Sequence, residues 1–121
     1  MMQGNKKVYA GQNPERIRIE STGGKEVMLS ISGRNLVRRN VKINVSGTII
    51  IGRLSSCDVS IDDAQVSRQN TALIYQNNKL YVRNLSETNG TMLNGIALRD
   101  VREIQPGDTL IMGDTKIVVS Y

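Results

Sequence analysis

An all-β sandwich is the fold this chain predicts, and three observations predict it. Short apolar runs, about ten of them, alternate with polar residues and stop at turn signals. The apolar stock is Ile, Val, Leu and Met with four Tyr and neither Phe nor Trp, a β-branched bias that suits pleated strands. Helical spacing occurs only across residues 97–104, through Leu98 and Val101, and that stretch is too short to predict a helix.

The elements follow in order. Asn13-Pro14 breaks the chain early, Arg16-Ile17-Arg18-Ile19 alternates, and Thr22-Gly23-Gly24 turns. Residues 1–24 therefore read as an N-terminal extension, a mobile start with one extra strand hairpinned onto the next run. Residues 25–121 read as one domain. Val27, Leu29 and Ile31 alternate up to Ser32-Gly33, and Val41, Ile43 and Val45 alternate up to Ser46-Gly47. Thr48-Ile49-Ile50-Ile51 is a buried-type strand ending at Gly52-Arg53, and Val59-Ser60-Ile61 is short. Asn77-Asn78 joins residues 71–76 to residues 79–85 as a tight hairpin, because Asn tolerates positive φ. Asn94-Gly95, Pro106-Gly107-Asp108 and Gly113-Asp114 turn the remaining short strands.

Composition excludes several functions. A length of 121 residues gives one domain with a modest two-layer core. No apolar run approaches the roughly 18–20 residues that span a bilayer, and the polar first dozen residues carry no signal-peptide pattern. The single Cys57 forbids an internal disulfide and suits a reducing, cytoplasmic setting, as a free protein or the cytoplasmic part of a larger one. With no His, the Ser-His and Cys-His nucleophile pairs and His-ligated metals are absent. Composition leaves a carboxylate-based or Lys-based enzyme open, but no residues cluster to suggest one, so no enzyme and no cofactor are expected. Asp58, Asp62 and Asp63 fit no ligand-loop spacing, so no metal is expected either.

The net charge of +5 is uneven. Residues 1–53 hold ten Lys/Arg against three acids, and residues 54–121 hold six against eight. Such a front half is either a solvated basic face or a surface for an anionic partner.

Three loop motifs carry the chemistry. Gly52-Arg53 turns out of a buried strand and delivers a guanidinium. Ser67-Arg68-Gln69-Asn70 adds a hydroxyl donor and a planar fork that matches phosphate geometry. Thr88-Asn89-Gly90-Thr91, with Asn94-Gly95 behind it, adds another hydroxyl and an amide able to bond an extended peptide backbone. Each motif also has an ordinary reading as a surface Arg, a local Ser/Asn turn or an Asn-Gly hairpin.

Their order is more informative. Gly52-Arg53, Ser67-Arg68, the hairpin, Leu85-Ser86-Glu87-Thr88-Asn89-Gly90-Thr91, Asn94-Gly95, Gly107-Asp108 and Gly113 together resemble the forkhead-associated (FHA) domain. The resemblance covers about residues 27–121. It implies a two-sheet β-sandwich of about eleven mostly antiparallel strands that binds phosphothreonine peptides through loops at one end. By position, Arg53, Ser67, Arg68 and Thr88 match phosphate contacts, and Asn89 matches the residue that holds the peptide backbone. Gly52, Asn70, Gly90, Asn94 and Gly95 match structural positions. Gln65, Val66 and Glu87 fall where the family selects a residue after the phosphothreonine. The family usually has His where this chain has Asn70, a shorter brace.

The resemblance implies a signalling module, monomeric by itself, whose partner is a phosphothreonine protein such as a Ser/Thr kinase substrate. It implies no nucleic acid, and a membrane only through a parent protein. The alternative is a phosphate-independent scaffold domain of a larger assembly such as a bacterial secretion ATPase. A nucleic-acid binder, prompted by the sequence pI near 9.7, lacks stacking aromatics and a reading helix.

Overall fold

The alternation of Val27, Leu29 and Ile31 with Met28, Ser30 and Ser32 builds β1 (Lys25–Gly33), whose three apolar residues are fully buried. The computed structural model describes Ala10–Gly11, Asn13–Pro14 and residues 23–121. After β1 come β2 (Leu36–Val45), β3 (Gly47–Gly52), β4 (Val59–Ser60), β5 (Thr71–Gln76) and β6 (Lys79–Asn84). Five more complete the sandwich: β7 (Met92–Leu93), β8 (Ile96–Ala97), β9 (Arg102–Glu103), β10 (Thr109–Met112) and β11 (Thr115–Ser120). The extra strand expected over Arg16-Ile17-Arg18-Ile19 lies outside the described residues. Two two-residue strands, Ala10–Gly11 and Asn13–Pro14, pair with each other ahead of the sandwich.

One sheet runs β8-β7-β10-β11-β1-β2 and the other runs β9-β6-β5-β3-β4. All pairs in both sheets are antiparallel except β3 with β4, where Ile51 lies opposite Val59 in parallel. Leu29, Ile31, Leu110 and Ile117 from the first sheet meet Ile51, Leu73 and Val82 from the second, all fully buried. Ile61, Val66 and Ile104 come from the connecting loops and join the same core, which pins those loops to the sandwich.

The turn chemistry is as the residues demand. Asn77 and Asn78 both sit at positive φ (55° and 63°), the primed turn that matches strand twist. Asn94 and Gly95 do the same between β7 and β8. One sequence reading holds and one changes. Residues 97–104 form no helix, in keeping with a spacing too short to predict one: Leu98 and Ile104 are buried pins, and Arg102 and Glu103 pair with Val82 and Tyr81 of β6. The second strand begins at Leu36, earlier than the alternation suggests. A register shift opposite Ser32 inserts an extra residue, breaks the periodicity and leaves Val37 88% exposed.

Asn78→Val forces a β-branched residue into left-handed backbone and lowers stability by about 1–2 kcal/mol. Asn78→Gly retains it. Urea denaturation of the three proteins checks the pair.

Candidate functional site

Backbone hydrogen bonds first bring the loops into register. The Arg53 amide donates to the Ser67 carbonyl at 3.0 Å, and the Asn70 amide donates to the Ile51 carbonyl at 2.9 Å. The approach is so close that a Cβ on Gly52 would collide with the Arg68 carbonyl. Gly52 is there because nothing larger fits. The Leu85 amide donates to the Asn70 carbonyl at 2.9 Å, tying in the loop that follows β6.

Asn70 then locks the set from inside. It is fully buried, and its Oδ1 accepts the Ser67 amide at 2.9 Å. Its Nδ2 donates to the Gly90 carbonyl at 3.2 Å, the Thr91 hydroxyl at 3.0 Å and the Thr71 hydroxyl at 3.1 Å. One short side chain thus spans the Ser67 loop, β5 and the Gly90 turn. Gly90 itself lies at φ 75°.

Above this brace lies a cleft of about 350 Å³ lined by Arg53, Ser67, Arg68, Glu87, Thr88 and Asn89 among others. Arg53 Nε donates to the Val66 carbonyl at 2.9 Å, which anchors the inner edge of the guanidinium. Its terminal nitrogens have no protein partner among the described residues, and the exposed Arg68 guanidinium has none either. The single ion pair among the described residues, Lys42 with Glu26 at 4.0 Å, is elsewhere. Ser67 Oγ stands 3.1 Å from Thr88 Oγ1, so two neighbouring hydroxyls share one cleft with two guanidiniums. That arrangement suits a multivalent anion.

Asn89 is placed differently from a free clamp. Its Nδ2 donates to the Gln65 carbonyl at 2.8 Å and to Gln65 Oε1 at 3.2 Å, so the amide bridges the two loops at the cleft rim. Gln65 and Asn89 also line a neighbouring depression of about 280 Å³ with Met92, Ile111, Gly113 and Asp114. Glu87 is exposed at the cleft. Val66 is a correction: its side chain is 1% exposed in the core, and its carbonyl is tied to Arg53, so it cannot select a peptide residue through its side chain. Asn94 holds the far hairpin, with Oδ1 accepting the Thr109 amide at 2.9 Å and Nδ2 donating to Asp108 at 3.0 Å, and Gly95 follows at φ 84°.

Sequence reasoning passed over four residues here. Asp63, considered only for a metal, accepts the Gln65 and Asp114 amides and the Thr115 hydroxyl, each at 2.8 Å. It fastens the Gln65 loop to the β10–β11 hairpin. Partial burial works against its charge, but those hydrogen bonds and the Arg34 charge outweigh it, and the carboxyl sits below its ordinary 3.8. Ser86, Asn84 and Thr91 form a chain behind the hydroxyls: Asn84 Oδ1 accepts the Ser86 amide at 3.1 Å and the Thr91 hydroxyl at 2.9 Å. Their signal was present in the run of small polar residues 84–91, which reads equally well as a turn.

Residues 49–113, more than half of the chain, match the sequence model of the FHA domain. The FHA domain of the CT664 protein from Chlamydia trachomatis superimposes with a TM-score of 0.71 at 18% identity, over 80% of this chain and 98% of that one. An FHA domain solved in an analysis of phosphothreonine-dependent FHA domain interactions gives 0.70 at 24% identity, over 80% and 97%. The FhaA FHA domain, solved in complex with the intracellular domain of Rv3910, gives 0.67 at 25% identity, over 77% and 98%. No curated protein sequence matches significantly.

Asn70→Ala strands a buried amide and carbonyl and lowers stability by about 3 kcal/mol, read by urea denaturation. Asp63 gives the pH dependence. Its folded pKa is depressed, so its contribution is full above the unfolded value and is lost as pH falls through the folded one. Asp63→Asn therefore shrinks the gap between wild-type stability at pH 7 and at pH 3, measured by thermal unfolding at both.

Proposed function

The chain belongs to the FHA family, and from that premise we propose that it is a phosphopeptide-recognition module that binds phosphothreonine segments of a partner protein. The observation that carries this reading is the pairing of two guanidinium ends, Arg53 and Arg68, that have no partner among the described residues, with the Ser67 and Thr88 hydroxyls in one cleft. FHA domains are interaction modules, and the FhaA domain at 25% identity was solved bound to a protein partner. The proposed event is binding at the cytoplasmic side of signalling, with no reaction and no cofactor.

A phosphothreonine brings about −1.5 to −2 charges and three acceptor oxygens. Each charge-assisted hydrogen bond contributes roughly 1.5–3 kcal/mol before desolvation and peptide ordering are subtracted. The expected net of about 7–9 kcal/mol corresponds to a micromolar Kd. Asn89 Oδ1 is the atom left to accept a peptide amide, since its Nδ2 is held by Gln65. The depression past Asn89 offers Met92 and Ile111 to an apolar side chain after the phosphothreonine, and Glu87 favours a basic neighbour.

Arg53→Ala and Ser67→Ala each weaken binding of a phosphothreonine peptide by about 10- to 150-fold, the worth of one charge-assisted hydrogen bond, with unfolding midpoints near wild type. A fluorescence-anisotropy titration against the peptide and its unphosphorylated form reads this. Equal binding of both peptides would instead favour the phosphate-independent scaffold. The basic extension has its own test: removing residues 1–24 lowers the salt dependence of binding if that charge steers the partner.

A further inference from the structure

Behind the cleft, Ser86 is 8% exposed, and the hydrogen bonds of its hydroxyl can be counted. A serine hydroxyl accepts two hydrogens and donates one. Both acceptor positions on Ser86 Oγ are filled by backbone amides, Thr88 N–H at 3.2 Å and Gly90 N–H at 3.2 Å. Its own hydrogen must therefore be donated. Two oxygens lie within reach, Ser67 Oγ at 2.6 Å and Thr88 Oγ1 at 3.3 Å. At 2.6 against 3.3 Å, the first is shorter by 0.7 Å and has the length of a good O–H···O bond, so the hydrogen goes to Ser67.

The consequence falls on Ser67. Its oxygen accepts from behind, so its own hydrogen points forward, to Thr88 Oγ1 at 3.1 Å in the free domain and to an anion when one is present. An anion only accepts. A Ser67 that donated to Ser86 would turn a lone pair toward the phosphate and repel it. Asn84 fixes Ser86 in turn, accepting its amide at 3.1 Å and donating from Nδ2 to its carbonyl at 2.9 Å.

We infer that Ser86 is a positioning residue of the binding site: saturated as an acceptor by the Thr88 and Gly90 amides, it sets the Ser67 hydroxyl as a donor toward a dianionic phosphate. The inference rests on the phosphothreonine reading for its ligand, while the proton direction itself belongs to the free domain.

Isothermal titration of one phosphothreonine peptide into wild type, Ser67→Ala, Ser86→Ala, the double variant and Ser86→Thr tests it. Ser86→Ala should weaken binding about tenfold, and Ser67→Ala, about 30-fold by itself, should weaken it only about threefold further in that background, the mark of coupled residues. Ser86→Thr, which keeps the hydroxyl, should bind within about threefold of wild type. A double variant whose loss is the product of the single losses would overturn the inference, since Ser86 would then act on loop structure alone. The second readout needs no peptide. In the free domain at low temperature, the Ser86 hydroxyl proton should be visible by NMR, slow to exchange and with a cross-peak to the Ser67 β-protons. A fast-exchanging Ser86 hydroxyl would overturn the inference even if binding were strong. Equal wild-type binding of phosphorylated and unphosphorylated peptide would fail the phosphothreonine reading and leave this proton assignment to the NMR result.

Discussion

The buried side-chain amide of Asn70 is the interaction on which the binding end depends. A carboxamide has an acceptor and two donors in one plane, and here the oxygen and nitrogen serve different loops. The oxygen fixes the Ser67 amide, and the nitrogen fixes the Gly90 carbonyl and two threonine hydroxyls. Burial makes this a demanding arrangement, because every unpaired member would be a desolvated polar group. The loops therefore hold one relative geometry or lose several bonds together. Asn is shorter than the His usual at this place. It nevertheless reaches both the Ser67 amide and the Gly90 carbonyl, and the Gly52 backbone lies close against the Arg68 carbonyl.

A gradient of polarity runs outward from that brace. Asn70, Thr71 and Thr91 are buried and mutually satisfied. Ser86 is one step out and passes its hydrogen forward. Ser67 and Thr88 are next, each with one hydrogen to offer. Arg53 and Arg68 lie at the rim, where a guanidinium remains hydrated until a ligand displaces water. The site stores donors without storing unpaired buried charge, which lets a stable sandwich carry a cationic cleft.

The sandwich was legible because period-2 alternation, Asn and Gly turns and an aliphatic core all report on local physics. β1 and the Asn77-Asn78 hairpin needed nothing beyond their own residues. β2 was half hidden, because the extra residue opposite Ser32 shifts the phase of alternation within the strand. Arg53, Ser67, Arg68 and Thr88 could be named from ordered motifs, and they line one cleft. Val66 was misjudged because adjacency to Ser67 says nothing about side-chain direction, and its side chain turns into the core. Ser86 and Asp63 were illegible in role. Their importance lies in partners 19 and 51 positions away, which no local pattern encodes.

On the proposed reading, the phosphate meets preorganised donors held from beneath by Asn70. An amide chemical-shift titration with a phosphothreonine peptide tests it most directly. The phosphopeptide should shift only residues 53, 65–68 and 86–90 and leave the Asn70 side-chain amide in place, and the unphosphorylated peptide should shift nothing. Matching shifts with both peptides, or shifts centred on either outer sheet face, would contradict that reading.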